Sequence, residues 1–172
     1  MTPQFTVRPA SVADARPMAE LFAAVAEERS GIASEPPVDV EQRTAQFTAS
    51  IAESIVAVAD GQIVGMIHTD VRRYGVGELG MLVDCEWRGR GVGSALIQAT
   101  IAWARDQGLH KLSLEVFAQN TAAIALYRKC GFVEEGHRVK HYRRANGELW
   151  DSLIMGLPLS ETSDYPVRPL NS

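Results

Sequence analysis

The sequence predicts an α/β protein whose single sheet is mixed, mostly antiparallel, about seven strands wide and flanked by about four helices. Short alternating or apolar segments are interleaved with longer segments of helical spacing. Two strand pairs are joined by the dipeptides Asp60-Gly61 and Asn146-Gly147, which favour antiparallel hairpins. One helix-length segment separates the fourth strand from the fifth, and such a crossover makes neighbouring strands parallel.

The first half of the chain supplies one strand, two helices and three further strands. Ser11 with Asp14 three residues later predicts the capping box of the first helix. Asp39 with Gln42 predicts the start of the second in the same way. The predicted elements are a strand at 4–10, helices over about 12–27 and 39–54, two strands within 55–73 and a strand at 77–84.

The second half alternates helices and strands. Gly108 and Gly131 predict where its two helices end, because glycine adopts the left-handed conformation of a C-cap. The longer helix has a predicted apolar stripe of Val92, Ala95, Leu96, Ala99 and Ala102. The predicted elements are a helix over 91–107, a strand at 111–117, a short helix at 120–130, and strands within 132–144 and 148–157.

Composition is that of one ordinary globular domain, expected over residues 1–160, with a loose tail at 161–172. The net charge of −4 gives no general reason to expect nucleic acid or an anionic membrane as a partner. The only cysteines, Cys85 and Cys130, have no metal-ligand spacing, and the histidines are scattered. These features predict a cytoplasmic protein with reduced thiols and no metal site.

The stretch WRGRGVGSAL, residues 87–96, combines a glycine-rich turn with a helix N-terminus. Backbone N–H groups of a first helical turn have no intrahelical partner, and the helix dipole favours an anion there. The glycines leave no Cβ between those donors and a phosphate, and Arg88 and Arg90 can add charge. The Lys-Ser/Thr pair of the nucleotide P-loop is missing. The alternative interpretation is a tight turn with two solvated arginines.

Two motifs resemble those of the GCN5-related N-acetyltransferases (GNAT). VDCEWRGRGVGSAL is similar to their coenzyme A motif, Arg/Gln-x-x-Gly-x-Gly/Ala, with Arg88, Gly91 and Gly93 in its positions. LEVFAQNTAAIALYRKCGFVEEG is similar to their second motif, and the predicted element order from about 4 to 157 also matches. The pattern is most similar to bacterial ribosomal-protein alanine and amino-acid N-acetyltransferases. The resemblance implies a sheet splayed between strands four and five.

The resemblance also implies acetyl-CoA as co-substrate and no metal. The fourth strand would carry the acetyl group and the pantetheine arm on its backbone, with an N–H near Val83 facing the oxyanion. The glycine loop would hold the pyrophosphate. The coenzyme-binding residues implied are Met81, Leu82, Val83, Arg88, Gly89, Arg90, Gly91, Val92, Gly93, Ser94, Asn120 and Tyr127.

Three residues are candidates for proton transfer. Tyr127 matches the family's tyrosine that protonates the departing thiolate; core packing is its alternative role. The base that deprotonates the ammonium is either Glu115 on the fifth strand or Glu78 on the fourth. Both carboxylates could instead be paired structural groups, which would leave a water relay. Asn120 could equally be a helix N-cap.

The sequence indicates the acceptor pocket less clearly than the coenzyme site. Glu28 and Glu35, in the loop that shapes the acceptor pocket in such enzymes, would suit a cationic amine, although a solvated charge run is the alternative. Tyr142 lines the pocket in this interpretation or packs across strands. The basic residues of the last hairpin could receive a substrate carboxylate or protect a sheet edge. They are Arg138, Lys140, His141, Arg143 and Arg144.

The sequence therefore predicts an acyltransferase that moves acetyl from acetyl-CoA directly to a primary amine within a ternary complex. A small amino compound, an amino acid or a protein N-terminus is the expected acceptor. Because many relatives are dimers, a homodimer is an expected state. The alternative function is a non-catalytic module that binds acyl-CoA and senses its level.

Overall fold

The computed structural model describes residues 4–159, so the predicted tail at 161–172 lies outside the described residues. Seven strands are present: β1 (Thr6–Pro9), β2 (Ser54–Ala59), β3 (Gln62–Val71), β4 (Val76–Val83), β5 (Lys111–Phe117), β6 (Val133–Arg143) and β7 (Leu149–Pro158). Four α-helices accompany them within the described range: α1 (Ala15–Glu27), α2 (Val40–Ala49), α3 (Val92–Asp106) and α4 (Thr121–Lys129).

The seven described strands form one sheet in the order β1-β2-β3-β4-β5-β7-β6. All neighbours are antiparallel except β4 and β5, which the α3 crossover makes parallel. These two strands pair only where residues 76–78 face 111–113. Residues 79–83 and 114–117 have no partners across this junction, so the sheet opens there into a wedge. The predicted mixed sheet and its splay are confirmed.

Helices cover both faces of the sheet because successive strand residues point to opposite sides. Ile55 and Ile67 face α3 and α4, whereas Val56 and Met66 face α1 and α2. Each face has its own buried cluster, built on one side around Leu96 and on the other around residues of α1. The wedge between β4 and β5 therefore lies inside a three-layer domain.

The predicted order of elements is confirmed, with small differences at helix ends. The first helix begins as a 3₁₀ turn at Val12–Asp14, where Asp14 accepts the Ser11 N–H at 2.7 Å and completes the predicted capping box. The second predicted helix ends at Ala49, and a 3₁₀ turn at Ile51–Glu53 leads into β2.

The predicted stripe of α3 is partly wrong. Ala102 is exposed, and Ala95 and Ala99 are only half-buried. The buried face of α3 is instead centred on Leu96, Ile97 and Ile101, which remove more apolar area from water than the alanines of the predicted stripe. The buried residues of α3 are Val92, Gly93, Leu96, Ile97, Thr100, Ile101 and Ala104.

The edge strand β6 is irregular opposite β7. Arg138 pairs with Ser152 and Tyr142 with Trp150, so four residue steps along β6 face two along β7. Within this bulge Lys140 has a φ of 50°, and its N–H donates to Asp151 Oδ1 at 2.7 Å. A bulge of this kind re-aims side chains at a sheet edge. Arg138 and Tyr142 are the paired residues on either side of this bulge.

Candidate active site

A cleft of about 770 Å³ follows the wedge between β4 and β5. Its size is that of a typical small-molecule site. At one end it is lined by the glycine loop and the start of α3, and at the other by Glu115, Tyr142 and Ser152. Tyr127 and Leu126 of α4 line the region between. We call these two parts the glycine-loop end and the hairpin end of the cleft.

The backbone of β4 presents hydrogen-bonding groups to the cleft. Asp84 donates its N–H to Val64 O on β3 at 2.9 Å. Because pairing alternates in an antiparallel ladder, the N–H groups of Met81 and Val83 point away from β3, toward the opening. The Val83 carbonyl accepts a hydrogen bond from Arg88 Nε at 3.0 Å. The Val83 N–H therefore faces the opening of the wedge.

The glycine loop exposes further N–H groups at the start of α3. Gly91 is the N-cap, no side chain caps this end, and the first intrahelical bond is from Ala95 N–H to Gly91 O at 3.0 Å. The N–H groups of the first turn, from Val92 to Ser94, are thus donors without helical partners. Their chemistry fits a phosphate, so this end of the cleft fits the pyrophosphate of acetyl-CoA.

The glycines of the loop serve different purposes. Gly89 and Gly91 have φ values of 72° and 86°, which side-chain-bearing residues rarely adopt. Gly93 is buried, and a Cβ there would meet Leu126 Cδ2 at 2.7 Å. Gly93 therefore permits close packing of α3 against α4, a role beyond the phosphate contact that its position in the motif implies.

The remaining predicted loop residues differ in position. Arg88 binds Glu28 through its two terminal nitrogens, Nη1 and Nη2, each at 2.8 Å. Arg88 and Glu28 therefore neutralise each other at the rim of the cleft. Arg90 lies outside the cleft lining, with its guanidinium 5.4 Å from the ring centre of Trp87. Val92 is buried in the core rather than lining the cleft.

Both predicted residues of the second motif line the cleft. Asn120 is the N-cap of α4 and accepts the Ala123 N–H at 3.3 Å, as the alternative interpretation expected. Tyr127 is 6% exposed and packs edge-on against Phe132. Burial raises the pKa of the Tyr127 phenol to about 12. The phenol therefore keeps its proton at neutral pH and can donate it.

Glu115 is at the centre of the hairpin end. Ser152 Oγ donates to Glu115 Oε1 at 2.5 Å, and Arg138 Nη1 lies 3.3 Å from Oε2. Tyr142 packs edge-on against Phe117 with ring centres 5.2 Å apart. Burial raises the pKa of the Tyr142 phenol, and the nearby Glu115 carboxylate adds to that rise. This group combines a carboxylate, a cation and hydroxyls around an open space.

Two predicted carboxylates lie outside the cleft lining. Glu78 accepts a hydrogen bond from Arg72 Nε at 2.9 Å and is bound by the same guanidinium's Nη2. Glu35 accepts the Ala145 N–H at 2.8 Å and lies 3.7 Å from Arg144. The structure therefore brings Glu115 into the cleft and leaves Glu78 and Glu35 in ion pairs beside it.

Arg144 has a role that the sequence did not indicate. Its side chain is 3% exposed and donates to Ala33 O at 3.0 Å and Arg29 O at 3.2 Å. The guanidinium also stacks 4.5 Å from the ring centre of Trp150. Arg144 thus fastens the β6–β7 hairpin to the loop after α1, which forms one wall of the hairpin end. Arg144 belongs to a cluster of basic residues in the sequence, and such a cluster does not predict a buried side chain.

One group of potential metal ligands lies away from the cleft. Glu53, His68 and Asp70 bring ligand atoms within 4.8 Å of one another. Both ring nitrogens of His68 are engaged, Nδ1 with Ser54 Oγ at 2.9 Å and Nε2 with Asp70 at 3.3 Å. These contacts account for the group as an internal hydrogen-bond network. No helix within residues 4–159 is long and apolar enough to cross a membrane.

The sequence model of the acetyltransferase (GNAT) family matches residues 18–132, which include the whole glycine loop and the second-motif helix. The chain belongs to the GNAT family. The predicted enzyme class, an acyltransferase that takes acetyl from acetyl-CoA, is thereby confirmed, and the non-catalytic sensing module is not favoured.

Curated and solved GNAT relatives agree with this assignment. L-amino acid N-acetyltransferase AaaT of Escherichia coli (strain K12) is 39% identical over 111 residues, which are 60% of this chain and 66% of that protein. Aminoglycoside N(6')-acetyltransferase type 1 of Stenotrophomonas maltophilia is 34% identical over 148 residues, 80% of this chain and 92% of that protein. The structure of ribosomal-protein-alanine N-acetyltransferase from Brucella melitensis has a TM-score of 0.82 at 29% identity, covering 90% of this chain and 99% of that one.

Proposed function

We propose that this GNAT protein transfers the acetyl group of acetyl-CoA directly to the primary amine of a small molecule, within a complex that contains both substrates. The observation that carries the proposal is the single cleft, which has backbone phosphate donors at the glycine-loop end and Glu115 at the hairpin end. Such an arrangement suits a donor and an acceptor that enter from opposite ends and meet between β4 and β5.

The glycine-loop end would bind the coenzyme. First-turn N–H groups of α3 would hold the pyrophosphate, and the backbone of β4 would hold the pantetheine arm. The coenzyme supplies an acetyl thioester, whose carbonyl carbon accepts the amine and whose sulfur leaves as a thiolate. The Val83 N–H would donate to the carbonyl oxygen as negative charge develops on it.

Glu115 is the proposed base. An ammonium ion has no free lone pair, so one proton must leave before the nitrogen attacks. The Glu115 carboxylate lines the cleft and would accept this proton directly or through one water. Glu78 does not line the cleft, which favours Glu115 over it.

Tyr127 is the proposed acid. As the new C–N bond forms and the C–S bond breaks, the phenol would donate its proton to the coenzyme A sulfur. Tyr127 lines the cleft, which supports this role, and its phenol remains protonated over the working pH range. Formation of the amide also removes a second proton from the nitrogen, and this proton would restore the Tyr127 phenol, while Glu115 would release its proton to solvent.

A small acceptor fits the hairpin end better than a protein N-terminus. The loop after α1 and the β6–β7 hairpin are fastened together by Arg144 and by the contact of Glu35 with Ala145, and together they wall this end. A folded protein would have to reach past this wall. Cytoplasmic location and a homodimer stay predictions from the sequence.

Release of free thiol from acetyl-CoA across a panel of amines, amino acids and N-terminal peptides tests the proposal. We expect release that depends on a small amine and falls about 100-fold or more in Glu115→Gln, the factor typical of a lost general base. Glu78→Gln is the matched control and should retain nearly full turnover. Equal losses in both variants, or ping-pong kinetics, would contradict the mechanism.

A further inference from the structure

Strand β6 places a cation beside the proposed base. Arg138 Nη1 lies 3.3 Å and 3.4 Å from the two oxygens of Glu115, although the residues are 23 positions apart. The same nitrogen is 3.3 Å from His141 Nε2. The strand register explains this arrangement, because Arg138 pairs with Ser152 and Ser152 pairs with Phe117, which lies on the same face of β5 as Glu115.

Arg138 is held loosely compared with the other charged groups of the hairpin. Its distances to Glu115 exceed the 2.7–2.9 Å usual for a charge-assisted hydrogen bond, and its side chain is 43% exposed. Arg144, in contrast, is buried against three backbone carbonyls. His137 is 2.8 Å from Asp151. Arg138 can therefore reorient without breaking a buried contact.

We propose that Arg138 is a carboxylate subsite and that the acceptor is an α-amino acid. The inference rests on the proposed function, since it assigns the acceptor that Glu115 deprotonates. An α-amino acid is a zwitterion whose ammonium and carboxylate lie on neighbouring atoms. Its ammonium takes the place of Arg138 beside Glu115, and its carboxylate binds the displaced guanidinium.

Charge balance favours this exchange over the binding of a simple amine. Before binding, one cation and one anion neutralise each other at the cleft wall. A zwitterion inserts between them, and each charge again has a partner. An amine without a carboxylate competes with Arg138 for Glu115 and offers the displaced guanidinium no partner, so it makes one charge-assisted contact where a zwitterion makes two. Ser152 keeps Glu115 oriented during the exchange through its hydrogen bond.

The test compares each amino acid with its own carboxamide, which has the same side chain and α-amine but no carboxylate charge. L-alanine, L-leucine, L-phenylalanine and L-methionine would be assayed beside their amides, and kcat/KM measured for both members of each pair. We expect the amino acid to be preferred roughly 10- to 100-fold, the range of one charge-assisted hydrogen bond. In Arg138→Gln this preference should collapse by the same factor.

Two further variants separate recognition from structure. Arg143→Gln removes the same charge from an exposed residue of the same strand and should keep the preference. Arg138→Lys should restore part of it, because the ammonium still attracts a carboxylate. If Arg138→Gln lowers kcat/KM equally for acids and amides, Arg138 only orients Glu115 and the subsite is wrong. Turnover of simple amines with no acid preference would overturn the subsite alone, whereas no amine-dependent thiol release would overturn the proposed function as well.

Discussion

One end of the cleft is formed mainly by backbone groups and the other mainly by side chains. The glycine-loop end consists mainly of backbone: first-turn N–H groups of α3, and N–H groups of β4 that have no strand beside them. The hairpin end consists of side chains from distant segments: Glu115, Tyr142 and Ser152 line one space, and Arg138 lies beside Glu115. Backbone donors suit a ligand that never changes, while side chains can be exchanged without altering the fold.

This difference separates coenzyme binding from acceptor binding within one cleft. The phosphate site depends on conformation, since Gly89 and Gly91 need positive φ values. The acceptor site depends on long-range pairing, since Arg144 reaches the carbonyls of the loop after α1 across more than 110 residues of sequence. Three predictions test how independent the two ends are.

The largest effect is expected at Tyr127, where the two ends meet. Tyr127→Phe removes the proton donor and keeps the ring, so turnover should fall roughly 10²- to 10⁴-fold while the Kd for acetyl-CoA changes little. Steady-state kinetics and calorimetry measure the two quantities. Tyr74→Phe is the matched control, because Tyr74 is 67% exposed on the β3–β4 turn.

Tyr127 also fixes the expected pH dependence. A proton donor works below its pKa, and the pKa of Tyr127 is raised to about 12. Loss of its proton should therefore not reduce kcat as the pH rises through 7 to about 10. A wild-type kcat that declines in this window, with a decline that disappears in Tyr127→Phe, would show that Tyr127 is the acid but that its pKa is not raised. A decline that persists in Tyr127→Phe would belong to another group.

A smaller effect, limited to the hairpin end, is expected for Arg144→Met. The change leaves loop carbonyls without their donor, so the free energy of unfolding should fall by about 2–4 kcal/mol. The acceptor KM should rise while the Kd for acetyl-CoA stays within about threefold of wild type. Arg143→Met, at an exposed site, should change stability by less than about 0.5 kcal/mol. Equal weakening of donor and acceptor binding would mean that the two ends are coupled.

The smallest effect is expected from a pair of glycine substitutions. Gly91→Ala and Gly147→Ala both place a side chain at positive φ, 86° and 90°, with no atom near the new Cβ. Each should cost about 1–2 kcal/mol of unfolding free energy. Only Gly91→Ala should also weaken acetyl-CoA binding, because Gly147 lies in the β6–β7 turn. Denaturant unfolding should show a similar loss of unfolding free energy in both variants. Calorimetry should show a raised Kd for acetyl-CoA only in Gly91→Ala.

The glycine-loop end could be predicted from sequence because its determinants are local. Loop, helix start and preceding strand are consecutive, and glycine spacing reports directly on backbone conformation. The same holds for the Asp60-Gly61 and Asn146-Gly147 hairpins, which set the order of strands. Even here the packing role of Gly93 was missed, because Leu126 belongs to another helix.

The hairpin end could be predicted only in part, because its pairs are non-local. Glu28 meets Arg88 across 60 residues, and Arg144 is buried although a cluster of basic residues is usually solvated. The bulge at 138–142 has no marker such as glycine, since Lys140 takes the positive φ. Tertiary contacts decide which charges pair, and no periodicity encodes them.

Because of the sheet order β5-β7-β6, the two ends of the cleft become complete at different times as the chain is synthesised. Every residue of the glycine-loop end lies before β5, so its pairing partners emerge early. Strand β7, the last along the described chain, inserts between β5 and β6 and supplies Ser152 to the acceptor site. Until Leu149–Pro158 has left the ribosome, both flanking strands have open edges, and such edges invite misassembly. Acceptor recognition is thus the last part of this molecule to take shape.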